Sequence, residues 1–308
     1  MRRYIVIVVL SLSLGSCIAP RTVTQSGKVT PEGQFEFGGN YSGNISVQAT
    51  RAIFNGIGSA IDGVSDQDSV VYDDGANDLA VAILAYSLDP LSAGGDLSLR
   101  YGIYEAFDIG YKYASGTHVF DGRWQFKGST GTIKNPGEDR KNASVGIQFS
   151  RRSYKLPDVY KLDKLQSILG FSLKRTDIMV PLIFSYSFGK EEEVGHIAYG
   201  LVYNHSFIEY GFDPKGIFYS VINSANSDPI DAISFKKNYP SFGAFFNMKL
   251  GYRHAYLIGS LSIFYQKYGE FYLLDEQKEV LKGMTYIPSI GIQFNPWMIS
   301  LRKGSKTE

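Results

Sequence analysis

Five charged residues carry the most concrete chemistry in this 308-residue chain. Arg100, Asp108, Lys112, Asp121 and Arg123 all fall on the small, polar side of segments that alternate between apolar and polar residues. They would therefore share one face of neighbouring strands. Ser115-Gly116 has the residue types of a two-residue hairpin turn. That turn puts Ala114 opposite Thr117, Asp108 opposite Arg123 and Gly110 opposite Asp121. Asp121 then lies diagonal to Lys112, and Arg100 diagonal to Asp108 across the other hairpin. A mixed-charge network follows inside whatever these strands enclose. It can act as a constriction that selects solutes by charge and size. It can equally be an ion-paired filling that closes the interior, the commoner arrangement where the interior is narrow.

Other residues of catalytic or metal-binding type give no such pattern. Asn204-His205-Ser206 contains a Ser/His pair, but adjacent strand residues point to opposite faces, so the two cannot form a triad. The four histidines, His118, His196, His205 and His254, are scattered without metal spacing. Asp62, Asp66, Asp68, Asp73, Asp74 and Asp78 could offer carboxylate oxygens to calcium, yet their spacing misses the EF-hand template and a solvated loop is the simpler reading. Glu191, Glu192 and Glu193 read as a solvated turn. No phosphate-cradling glycine loop is present. The sequence has no catalytic signature, and no enzyme activity, cofactor or metal is expected.

The elements that must position the five charges are strands. Phe35, Phe37, Gly39, Tyr41, Gly43, Ile45 and Val47 oppose Glu36, Gly38, Asn40, Ser42, Asn44 and Ser46, a period of two that only a strand produces. The pattern returns over 97–103, 107–114, 120–127, 143–150, 178–188, 196–210, 242–252, 256–266 and 285–294. One face carries Tyr, Phe, Leu and Ile almost without charge, and the other carries Gly, Ser, Asn and single charges. A soluble barrel reverses this arrangement. Short connections at 104–106, 189–195 and 253–255 alternate with long ones at 48–96, 152–177, 212–241 and 267–284. The tight turn at 115–116 and the long connection 128–142 depart from that scheme. Helical spacing appears over 52–64 and 157–169, while 78–88 fits a helix or a further strand. Pro181 and Pro288 belong at bulges or where no ladder donor is needed.

Composition agrees. There are 22 Tyr, 20 Phe and 33 Gly but 2 Trp, with a net charge of +1. That near-neutral balance leaves no electrostatic footprint for nucleic acid. Mean hydropathy is -0.11, because alternation hides apolar residues from window averages. The fold class expected is all-β: an antiparallel transmembrane β-barrel of about ten strands (eight to twelve) with short loop helices, closed by pairing 35–47 with 285–294.

The amino-terminal end supplies the compartment. Arg2 and Arg3 precede an apolar run over 4–10 and then Leu14-Gly15-Ser16-Cys17, a basic end, a greasy core and small residues that together make a secretory signal. The last four residues resemble the lipobox of bacterial lipoproteins. The resemblance implies cleavage before Cys17 and lipid on the new amino terminus. An ordinary signal peptide with a chance cysteine is the plainer alternative. Ile18 supplies no acidic residue of the kind that retains some lipoproteins in the inner membrane. With its strand pattern the chain resembles small bacterial outer-membrane β-barrel proteins. The resemblance also implies recognition of a final strand ending at Phe294 by the outer-membrane assembly machinery, although here the chain continues through Asn295, Pro296 and Trp297 to Arg302, Lys303 and Lys306.

The domains expected are a signal peptide at 1–16, a lipid anchor and polar tether at 17–33, the barrel at 34–294 and a polar tail at 295–308. The expected place is the bacterial outer membrane, with lipid anchoring through Cys17. Two functions follow from the barrel: a passive channel or transport protein for small solutes, or a structural or interaction barrel with a packed lumen that displays its loops to an envelope partner. A lipid-tethered periplasmic β-sheet binding protein would need the large apolar residues inside.

Overall fold

The computed structural model describes residues 21–52, 70–71, 74–129, 137, 139–154, 170–213, 217–218, 231–273 and 278–296. In chain order the elements are β1 (Phe35–Ser46), α1 (Val47–Ala52), β2 (Val70–Val71), α2 (Asp74–Leu88), β3 (Ser92–Tyr104), β4 (Phe107–Ala114), β5 (Thr117–Lys127) and β6 (Lys141–Tyr154). They continue with β7 (Ser172–Phe188), β8 (Gly195–Phe212), β9 (Ile217–Phe218), β10 (Ile233–Tyr252), β11 (Ala255–Tyr272) and β12 (Lys278–Phe294). Ten of the strands form one closed barrel in the order β1-β12-β11-β10-β8-β7-β6-β5-β4-β3, while β2 and β9 make a separate parallel pair. Every barrel pairing is antiparallel, and closure pairs β1 with β12 as expected. Both Phe35 and Phe294 stand at one rim, here the terminal end; the connections β1–β3, β6–β7, β8–β10 and β11–β12 stand at the other, the loop end, while the long β5–β6 connection departs from that scheme at the terminal end.

Alternation sets the two faces. Outward chains such as Leu97, Phe120, Ile147, Leu201, Phe242 and Ile292 are exposed, whereas Ser42, Asn44, Ser144, Asn204, Ser262 and Gln266 are buried inside. Several strands exceed the expected segments at the loop end: β10 begins at Ile233 and β12 at Lys278. There the outward positions include the exposed Lys174, Lys236, Lys267 and Lys282. Ladder pairing continues past the apolar belt after the hydropathy signal has stopped.

The turns follow local backbone chemistry. Ser115 and Gly116 both take positive φ, 43° and 87°, the type I′ geometry that suits a two-residue hairpin. The register is the one expected, with Ala114 opposite Thr117, Asp108 opposite Arg123 and Gly110 opposite Asp121. Pro181 lies where the β6–β7 ladder is interrupted between Leu182 and Met179. Pro288 lies where the β1–β12 ladder is interrupted between Ser289 and Tyr286. A missing N–H costs nothing at either gap.

Helix α2 realises the helical alternative for 78–88 and extends it to Asp74–Leu88. Ala80, Ile83, Leu84 and Leu88 pack with Tyr154, Leu173, Tyr210, Phe212, Tyr239, Tyr268 and Phe271 from the barrel wall. Ala82, Ala85 and Tyr86 are buried as well, so the part of the helix over 80–88 is enclosed on all sides, which explains its weak amphipathic pattern. It caps the loop end of the lumen. Of the expected helix at 52–64 only its start is described, at the end of α1, and that at 157–169 lies outside the described residues, as do the signal peptide, Cys17 and the tail from 297 onward. No helix among the described residues is long and apolar enough to cross a membrane.

One expected segment behaves differently. Residues 24–33, read as a solvated tether, do not leave the barrel. Arg21, Thr22, Val23, Thr24, Ser26, Lys28, Val29 and Thr30 are buried, in contact with the inner wall. A mostly polar segment outside any ladder is what this lumen can hold, because its backbone groups can be satisfied by the wall.

Candidate functional site in the barrel lumen

Near the terminal end the segment is held by the charge network. Arg100 Nη1 donates to Asp108 Oδ1 at 2.6 Å, and its other nitrogen pairs with Asp121. Arg123 Nη2 donates to Asp108 Oδ2 at 2.5 Å and Nε to Oδ1 at 3.1 Å. Asp108 is fully buried. Gly110, between Arg100 and Asp121 on the middle strand, carries no side chain, and a Cβ there would meet both of their charged groups within 2.6 Å. The arginine therefore reaches across β4 to β5. Lys112 does not join this network; its Nζ donates to the Thr22 carbonyl at 3.2 Å.

The same charges grip the segment. Thr30 N–H donates to Asp108 Oδ2 at 2.9 Å, and Arg123 Nη1 donates to the Ser26 carbonyl at 2.8 Å. Val29 N–H donates to Gln125 Oε1 at 2.9 Å, Gly27 N–H to Ser185 Oγ at 3.0 Å, and Asn247 Nδ2 to the Gln25 carbonyl at 3.0 Å. Buried backbone groups that would otherwise cost free energy are thus paired with wall side chains. At its base Gly33 N–H donates to the Gly102 carbonyl at 2.9 Å. A Cβ on Gly102 would fall 2.2 Å from the Pro31 carbonyl oxygen, so only glycine lets the segment lie against β3 there.

The glutamate run is part of this seat. Glu191 pairs with Lys28, Glu192 with His196 and Lys249 at 2.9 Å each, and Glu193 with Arg253 at 2.5 Å. The solvated turn read from the sequence is instead folded inward, with Glu191 and Glu192 at positive φ of 53° and 57°. Burial opposes the charge on Glu192, yet the neighbouring His196 and Lys249 hold its carboxyl well below the usual carboxylate range.

A second network lies toward the loop end. Arg21 donates to Asp89 Oδ1 at 2.7 Å and to Gln266 Oε1 at 2.8 Å, and stacks over Phe264. Asp89 also accepts from Asn44 at 2.8 Å, Gln266 at 2.7 Å and Thr285. Burial opposes its charge, but Arg21 and these donors hold it below its ordinary value. Beside it Arg175 binds Asp177 at 2.8 Å, Ser206 at 3.0 Å and the Leu88 carbonyl at 2.6 Å. Arg152 directly opposes Arg175 across β6 and β7. Among the described residues its buried guanidinium has no hydrogen-bond partner.

The gap left beside the lower network, lined by Val23, Arg100, Lys112, Asp121, Arg123 and Gln148, is about 30 Å³. That is room for water, not for a solute. His205 and Ser206 occupy opposite faces as expected: His205 contacts Tyr203 on the outside, and Ser206 donates to Asp177 at 2.5 Å inside. No group of three metal-type side chains converges among the described residues. The side chains of the acidic run from Asp62 to Asp78 lie outside the described residues.

Sequence reasoning found the register of the five charges and missed their second task of holding the chain. A signal was present. A ten-stranded wall so rich in inward Gly and Ser leaves space in its lumen that either water or another part of the chain occupies. Asp89, Arg175, Asp177, His196 and Lys249 carried no distinguishing pattern.

The fold and site define a class: a closed ten-stranded antiparallel barrel whose lumen is occupied by its own amino-terminal segment and a capping helix. No family model matches the chain, and no curated protein matches it. Solved structures to which it is similar include the following. The attachment invasion locus protein Ail of Yersinia pestis is 12% identical over 85% of this chain and 99% of that one, with a TM-score of 0.31. OprG of Pseudomonas aeruginosa is 10% identical over 88% and 99%, with a TM-score of 0.30. The translocator domain of the autotransporter NalP from Neisseria meningitidis is 7% identical over 95% and 94%, with a TM-score of 0.36. Similarity this distant carries no argument about function, and the barrel is read from its own hydrogen-bonded ladders.

Proposed function

We propose that this chain is an outer-membrane β-barrel that is plugged from within, does not conduct at rest, and serves as a structural or interaction barrel displaying its loop end to an envelope partner. The observation that carries this reading is the segment 21–30, buried in the lumen with wall side chains on its backbone groups. The membrane is supported by the exposed outward belt of Phe, Tyr, Leu and Ile, which no water-soluble barrel presents. Recognition by the assembly machinery and a signal peptide cleaved before an acylated Cys17 complete the reading.

A second reading is favoured by one feature. The wall behind the segment carries Ser144, Ser187, Asn204, Ser241, Asn247 and Ser262 beside an apolar patch of Met179, Ile183, Val202, Phe245, Phe264 and Ile287 that packs on Val23, so removal of the segment would leave a partly hydrophilic path for small solutes. Conductance separates the two. The full chain in planar bilayers is expected to show no steady channel, while a variant lacking residues 21–30 conducts with a selectivity that changes on neutralising Asp121. Steady conductance by the full chain would overturn the plugged reading, and a silent deletion variant with a folded barrel would remove the transport alternative.

A further inference from the structure

The direction of the lumen segment has a consequence for the sidedness of the molecule. Proceeding backward from Gly33, bonded to Gly102 beside the β3–β4 turn, the chain meets Asp108 at Thr30, Ser185 at Gly27, Asn247 at Gln25 and Val23, and Lys112 at Thr22. It ends at Arg21, bound to Gln266 and Asp89. Gln266 lies eleven residues along β11 from Ala255 (266 − 255), about 28 Å up the axis for strands tilted by about 40°. Allowing for the length of its own side chain, the Arg21 backbone stands roughly 20 Å above the terminal rim.

Three residues lie between Cys17 and Arg21, and the four Cα-to-Cα steps they make span at most about 14 Å when fully extended. Even a chain that turned straight back could not return Cys17 to the terminal rim. The forward direction leads past α2 to the loop end. We propose that the chain is threaded through its own barrel, so that the amino-terminal end of the mature protein stands on the loop side of the membrane, the opposite side from the rim where β1 begins. This rests on the reading of the chain as a processed outer-membrane barrel. Where Cys17 is acylated, its lipid enters the outward leaflet.

The threaded order is read by two pairs of substitutions. Lys28→Cys with Glu191→Cys, whose native side chains pair, reports the lower lumen, and Thr22→Cys with Lys112→Cys the upper; each pair is treated with a short bis-maleimide, and single substitutions control for Cys17. Both pairs are expected to bridge in a barrel that remains heat-modifiable. Sidedness is read by a polar epitope inserted between Pro20 and Arg21, compared with the same epitope in the β9–β10 connection and in the β5–β6 connection. On intact cells antibody is expected to reach the amino-terminal epitope and the β9–β10 epitope alike, and the β5–β6 epitope only after permeabilisation. An amino-terminal epitope that behaves like the β5–β6 one overturns the proposal, as does a folded barrel in which neither pair bridges. A hidden β9–β10 epitope would count against the outer-membrane reading itself, while the cross-links still decide the threading.

Discussion

Asp108→Asn is the sharpest perturbation of the lumen. Asp108 accepts from Arg100 at 2.6 Å, from Arg123 at 2.5 and 3.1 Å, and from Thr30 N–H at 2.9 Å, with no exposure. The amide keeps an acceptor for Thr30 but removes the one carboxylate among the described residues that touches both arginines. Arg100 retains Asp121, and Arg123 is left with the Ser26 and Lys28 carbonyls. Removing one partner from a buried ion network costs about 3–5 kcal/mol, because the remaining charge is uncompensated. Urea unfolding followed by the loss of the fast-migrating unboiled band should show that decrease, with Asp121→Asn costing less because Asp121 is part-exposed and pairs with Arg100 alone. A change below about 0.5 kcal/mol for Asp108→Asn, within the range of ordinary surface substitutions, would refute the reasoning.

Four further outcomes follow from the same geometry. Gly102→Ala places a methyl against the Thr30 and Pro31 carbonyls; a loss of about 1–3 kcal/mol and faster proteolysis within 21–33 are expected. Arg152→Met removes a buried guanidinium that has no hydrogen-bond partner among the described residues and directly opposes Arg175, and should raise stability by about 1–4 kcal/mol in the same urea assay. Ile147→Lys, at an exposed mid-strand position of β6, should cost about 2–4 kcal/mol if it faces hydrocarbon; a neutral effect would place that face in water. Asp89 and Glu192 both have folded pKa values below their ordinary ones, so the unfolded chain binds protons first as pH falls. Their contribution is present above about pH 4–5 and is lost progressively below it, which a pH series of the folded band should show as a plateau followed by a decline.

The barrel was legible because its wall faces two solvents. Phe37 outward and Gly38 inward, repeated along every strand, fix both the element and the face. Ser115-Gly116 then fixed the register of Asp108 on Arg123. Strand ends were less legible: at Lys236 and Lys282 the outward position leaves the apolar belt while the ladder continues. Helix α2 was ambiguous because burial on every side erases the amphipathic stripe. The lumen segment was misread for a related reason. A segment enclosed in a mostly polar lumen is mostly polar itself, and in sequence TQSGKVTPEG looks the same as a tether in water. Glu191 and Glu192 deceived likewise, since Lys28 and Lys249 lie far away in the sequence and His196, four residues on, gives no sign of facing inward.

Amide hydrogen exchange at residues 22–30 of the folded barrel tests the central claim most directly, since a plug and a tether differ first in whether these amides see water. With Gly27, Val29 and Thr30 donating to Ser185, Gln125 and Asp108, their amides are expected to be protected on the timescale of the β4 and β5 amides beside them. Exchange at the rate of an unstructured peptide, with the barrel ladders still protected, would contradict a barrel closed around its own amino-terminal segment.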